Sequence, residues 1–297
     1  MDWFWLAFIS AVFSALSAVY EKKALFSSDA LNFTFLISII TLLFSLPFFG
    51  MIEYDNLFSL SMLVLLLKTV LNAAAFLFVM YSIKNLEISE ALPLLALTPG
   101  LVAVLGVILI NDYLTLYEWF GILLMLTGTI ILEVRRHNNG TGKRSRLTLA
   151  ALFRFSKYSY VIIALILFTI TSLLDRVLLT DLRLSPYSFM AFQQLFYAVI
   201  FTIVVLIKYN GVMQPFKGVS KQMLYLLIIV SVSTVIYRFT QIEATKMAPA
   251  ALVLSVKRLS VLMAMILGGK LFKDANLFRR IIATVIILIG AAILMNE

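Results

Sequence analysis

"GVILINDYLTLYEWFGILLMLTGTIIL", residues 106–132, and "GGKLFKDANLFRRIIATVIILIGAAIL", residues 268–294, align without a gap. Gly106 meets Gly268, Asp112 meets Asp274, and Gly128 meets Gly290. In both, a loop with an acidic residue leads into an apolar run of about 20 residues, the length that crosses a bilayer as a helix. A second correspondence lies upstream, where "SAVYEKKAL", residues 17–25, resembles "TSLLDRVLL", residues 171–179, setting Glu21 and Lys22 against Asp175 and Arg176. The chain therefore reads as two versions of one unit.

Apolar runs of spanning length predict ten helices, at residues 3–20, 31–49, 60–83, 88–110, 117–134, 160–179, 187–207, 223–242, 248–267 and 277–295. Five fall in each version. A unit with an odd number of spans re-enters the membrane inverted when repeated, so the halves are expected to be related by a pseudo-two-fold axis in the membrane plane. The fold class is an all-α membrane protein of ten transmembrane helices in two inverted five-helix repeats. The first repeat covers residues 1–136 and the second residues 159–297. Between them, residues 137–158 form a basic linker within "RRHNNGTGKRSRLTLAALFRFSKY", residues 135–158.

Composition agrees with this reading and removes others. Hydrophobic residues make up 62% of the 297 and charged residues 13%, against a usual quarter charged. The formal charge of +9 does not point to nucleic acid, because the basic residues gather at the ends of apolar runs. With the linker on the cytoplasmic side, seventeen Lys and Arg residues lie on that side and two, Arg183 and Lys246, on the other. That bias predicts an integral membrane protein with both termini outside the cytoplasm, in a bacterial inner membrane, working as a monomer or homodimer. The first span has no basic segment before it and no cleavage site after it, and reads as a retained helix. Trp3, Trp5, Tyr113, Tyr117, Trp119, Tyr158 and Tyr160 sit near span ends, as interfacial anchors do.

Two stretches carry a family resemblance. "ALPLLALTPGLVAVLGVILINDYLT", residues 91–115, looks like the proline-containing fourth helix, followed by a Gly-Glu-x-Leu-Thr turn, of EamA-type members of the drug/metabolite transporter superfamily. "APAALVLSVKRLSVLMAMILGGKLFKD", residues 248–274, is similar to a Lys-Arg-containing branch of the same family. The resemblance covers essentially the whole chain, and it implies a small-molecule transporter with no cofactor. Asp112 and Asp274 stand where the family usually has Glu. The resemblance also implies cytoplasmic termini, the reverse of the charge distribution, which is followed here.

Catalytic constellations are missing from the sequence. The single histidine, His137, lies in the linker, and there is no cysteine. Neither a phosphate-binding G-x-x-x-x-G-K-[ST] loop nor an H-E-x-x-H or G-x-S-x-G motif occurs. An enzyme is not expected.

Ionisable groups inside the spans are the functional candidates, since a charge at the bilayer centre costs about 2.5–3.5 kcal/mol on insertion scales. Lys257 and Arg258 fall near the middle of the ninth span and Lys68 at a comparable depth in the third, with Asn72 one turn on. Arg238 and its neighbour Tyr237 lie in the eighth. In the fourth span Pro93, Pro99 and Gly100 interrupt the backbone ladder beside Thr98, a donor for a solute. Cations outnumber carboxylates within the spans, with Lys68, Lys257 and Arg258 expected to lack acidic partners. An anionic or zwitterionic solute is the expected cargo: a carboxylate, an amino acid or a phosphorylated metabolite. Lys257, Arg258, Lys68, Arg238, Tyr237, Thr98 and Asn72 are the expected binding residues. Glu21 with Lys22, Asp175 with Arg176, and Glu90 are expected to gate or to couple transport to protons; exchange without protons is equally open. Gln193 and Tyr197 share a face of the seventh span and serve either a solute or helix packing. The alternatives are a translocase for the phosphate head of a lipid carrier, and a membrane receptor or scaffold working through its basic linker.

Overall fold

The computed structural model describes residues 3–25, 28–52, 60–85, 95, 97–133, 155–217, 219–268 and 277–295. These residues form α1 (Trp3–Leu25), α2 (Ala30–Phe49), α3 (Leu60–Asn85), α4 (Thr98–Leu109), α5 (Leu116–Glu133), α6 (Phe155–Thr180), α7 (Pro186–Tyr209), α8 (Lys221–Met247), α9 (Ala250–Lys257), α10 (Leu259–Gly268) and α11 (Leu277–Met295). A 3-10 turn, Gln214–Phe216, precedes α8, and no strand occurs among the described residues. Six of the helices are long and apolar enough to cross a bilayer, and shorter apolar helices accompany them. Predicted spans and helices correspond to within a few residues except in two: the fourth, predicted over 88–110, is described as a helix only over Thr98–Leu109, its residues 88–94 lying outside the described residues, and the ninth is divided at Arg258 into α9 and α10. There the Arg258 N–H turns back to the Ser255 carbonyl, the tighter bonding that ends a helix.

The chain packs as two compact units that cut across the sequence halves. One comprises residues 1–70, 174–248 and 259–273; the other comprises 71–173, 249–258 and 274–297. Helices α3 and α6 each contribute to both. Neither unit corresponds to one five-span half, because each draws helices from both.

In the first unit α1 lies along α8. Its buried face is small, with Ala7, Ala11 and Ala15 at four-residue spacing and Ser10 beside them, all fully buried. Small residues let helices approach where lipid removes the hydrophobic drive for association. Ser10 Oγ exploits the closeness by donating to the Tyr237 carbonyl at 2.8 Å. Some large apolar side chains of this unit turn outward: Leu43, Leu63 and Ile207 are each more than half exposed. Such a surface suits acyl chains rather than water. Ser220 starts α8 by accepting the Met223 N–H, an N-cap bond.

In the second unit α5 and α11 cross through their glycines. A Cβ placed on Gly128 would lie 2.5 Å from Ile287 Cγ1, 2.9 Å from the Ala283 carbonyl and 3.1 Å from the Ile287 nitrogen. One placed on Gly290 would lie 2.7 Å from Met125 Cγ, 2.9 Å from the Gly121 carbonyl and 3.0 Å from the Met125 nitrogen. In the sequence alignment Gly121 falls on Ala283, Met125 on Ile287 and Gly128 on Gly290. Each helix thus presents to its antiparallel partner the surroundings that the partner presents to it.

A T-x-x-E pattern at Thr115–Glu118, which the sequence reading passed over, opens α5. Glu118 N–H donates to Thr115 Oγ1 at 3.2 Å and Thr115 N–H donates to Glu118 Oε2 at 2.6 Å, a reciprocal capping box.

Candidate functional site

Three spans of the first unit bring ionised side chains together. Lys68 on α3 is fully buried, and its Nζ meets Asp175 Oδ1 of α6 at 2.6 Å. The ammonium also lies 5.0 Å from the centre of the Phe189 ring, within cation–π range. Arg238 of α8 approaches the other carboxylate oxygen at 3.8 Å. Its direct bonds go elsewhere, from Nη2 to Gln193 Oε1 at 2.7 Å and from Nη1 to Gln241 Oε1 at 3.3 Å. Asp175 thus lies closest to Lys68 and more loosely against Arg238, whose hydrogen bonds go to two neutral amide oxygens. Counted by themselves, these three side chains, two cations and one carboxylate, carry one net positive charge.

The expectation that Lys68 lacks an acidic partner is corrected by this geometry. Asp175 and Arg176 are neighbours in the chain, but adjacent residues on a helix point about 100° apart. Asp175 turns to Lys68 and Arg238. Arg176 turns to the end of α8, where its Nη1 donates to the carbonyls of Thr245 at 2.6 Å and Lys246 at 3.1 Å. These are among the last four carbonyls of that helix, which lack intrahelical donors and carry the negative end of its dipole. Glu21, on α1, accepts from Ser17 Oγ at 2.9 Å and is half-buried. The Lys22 side chain and Glu90 lie outside the described residues.

Two other candidates meet in the second unit. Proline has no N–H, so Pro99 gives the carbonyl of residue 95 no helical donor. Thr98 Oγ1 donates to the Leu95 carbonyl at 2.6 Å, and Arg258 Nη2 donates to it at 3.0 Å. The proline in one span and the arginine in another thus explain each other locally. Lys257 closes α9, where the negative end of the helix dipole favours a cation. Asn72, half-buried, belongs to this unit, and Tyr237 belongs to the first.

Gln193 is the functional candidate that sequence treated only as one of two possibilities. Its side chain is fully buried, and its oxygen is fixed toward Arg238 because a guanidinium can only donate. That orientation leaves Gln193 Nε2, a buried donor, with no acceptor among the described residues. The signal in the sequence was its position on one face with Tyr197; the arginine it meets is 45 residues away.

A polytopic helical membrane protein with ionised groups buried among its spans is the class this geometry defines. Residues 1–134 match the EamA-like transporter family. The matched stretch is under half of the chain, and it is similar to a family of membrane transporters. A crystal structure of a protein aligns with 98% of this chain and 95% of its own, at a TM-score of 0.73 and 15% sequence identity, a likeness of fold alone. No curated protein matches the sequence.

Proposed function

We propose that the protein is a secondary transporter that moves a small organic solute bearing a negative charge, anionic or zwitterionic, by alternating access. The observation that carries this reading is the Lys68–Asp175–Arg238 cluster, with its excess positive charge among spanning helices. Removing an uncompensated ion from water costs several kcal/mol. A solute carboxylate beside Arg238 lowers that cost, and releasing the solute to water restores it. Lys257 and Arg258 stand as separate candidates in the second unit. Asp175 and Glu21 are the carboxyl groups proposed for proton coupling.

The matched surroundings of Gly128 and Gly290 support an inverted repeat, since an antiparallel pair with equivalent contacts has a local two-fold axis across the helices. Inverted repeats provide two related arrangements, one open to each side, from a single architecture. With the basic linker cytoplasmic, both termini are proposed to lie on the opposite side.

Uptake into proteoliposomes tests the reading. Radiolabelled carboxylates or sugar phosphates should enter, and Arg238→Gln should abolish entry while the purified variant still melts cooperatively. Transport confined to cations or neutral solutes, undiminished in Arg238→Gln, would overturn it.

A further inference from the structure

We infer that the solute is recognised as a monoanion, through a single carboxylate that bridges the Arg238 guanidinium and the Gln193 amide nitrogen. The inference deepens the proposed function and rests on it. Three features of the first unit carry it. Lys68 and Asp175 form an ion pair at 2.6 Å, so the ammonium already has its counter-charge and acts here as a positioning residue that holds Asp175. Arg238 keeps a net charge, its short bonds going to Gln193 and Gln241 and its approach to Asp175 being 3.8 Å. The third feature is Gln193 Nε2, a donor in a fully buried side chain that no acceptor among the described residues meets.

The amide nitrogen is bonded to the same carbon as the oxygen that Arg238 holds at 2.7 Å, so the spare donor lies beside the guanidinium. A carboxylate has two acceptor oxygens and no donor, which matches a guanidinium N–H beside an amide N–H. Charge sets the valence. One negative charge neutralises the cluster; a dicarboxylate or a phosphate dianion would leave a second charge without compensation among its members.

The valence can be changed from within. Asp175→Asn raises the cluster's excess from one positive charge to two, which favours a dianion. Gln193→Glu supplies a carboxylate in place of the solute's, leaving the cluster neutral and the added acid beside Arg238. Gln193→Leu removes the spare donor and costs about one charge-assisted hydrogen bond, roughly a tenfold loss in affinity.

The experiment uses the full chain in proteoliposomes, with inhibition of labelled benzoate uptake by benzoate, lactate, succinate, alanine and glucose 6-phosphate. The wild type should prefer benzoate and lactate. Gln193→Leu should raise the KM for benzoate about tenfold, Gln193→Glu should lose uptake while melting no lower than the wild type, and Asp175→Asn should shift preference toward succinate. Should Asp175→Asn fail to fold, the two Gln193 variants decide. A wild type that prefers succinate or glucose 6-phosphate, or a Gln193→Glu variant that takes up benzoate normally, sinks this inference and leaves the anion reading standing. If no anion is transported or competes while neutral or cationic solutes are moved, the proposed function itself fails.

Discussion

Alanine at position 290 should push α5 and α11 apart. Its methyl would stand 2.9 Å from the Gly121 carbonyl oxygen and 3.0 Å from the Met125 nitrogen, both backbone atoms that no rotamer change can move. An ordinary carbon–oxygen contact is about 3.3–3.6 Å, so the helices must separate by roughly half an ångström at this crossing. Overpacking of this kind costs about 1–3 kcal/mol. Alanine's better helix propensity returns about 0.5–1 kcal/mol, leaving a net loss near ~1–2 kcal/mol. Gly128→Ala should lose a similar amount, because its added methyl would meet Ile287 and the Ala283 carbonyl at matching distances. The double variant should lose less than the sum, since one separation relieves both contacts. Gly211→Ala is the control, with nothing within 4 Å of its Cβ position. Thermal unfolding of the detergent-solubilised protein reads all four. Melting of Gly290→Ala at or above the wild type, or opposite signs for the two single variants, would refute the packing argument and remove the support it lends to an inverted repeat.

The remaining predictions concern charges and caps. In a double-mutant cycle on Lys68→Met and Asp175→Leu, thermal stability should show coupling of about 1.5 kcal/mol or more, because Asp175→Leu strands the buried Lys68 ammonium and Lys68→Met leaves Asp175 only its 3.8 Å contact with Arg238. Arg176→Met should destabilise by about 1–2 kcal/mol in the same assay, by releasing the carbonyls of Thr245 and Lys246 at the end of α8. Thr98→Val and Arg258→Gln should each cost stability, and adding Pro99→Ala should shrink both losses, since alanine restores the N–H that the Leu95 carbonyl lacks. Thr115→Ala should remove one bond of an exposed capping box, for about 1 kcal/mol.

Sequence by itself determined the class and the spans. Apolar runs of about 20 residues are set by bilayer thickness, a constraint local to each segment, so they can be found without knowing any neighbour. The same is true of the T-x-x-E cap at Thr115–Glu118 and the proline that frees the Leu95 carbonyl, both short-range backbone effects. The gapless match of residues 106–132 to 268–294 named the glycines that the α5–α11 crossing uses. Only the tertiary structure decided where the charges go. Asp175 has Arg176 next to it in the chain, yet its partner is Lys68, 107 residues away on another helix. An ion buried among helices is stabilised by whichever group the packing brings within about 4 Å, and helical geometry turns adjacent side chains apart. For the same reason Gln193 was legible as a polar residue in an apolar span, but its oxygen became tied to Arg238, and its nitrogen a spare donor, only when α7 met α8.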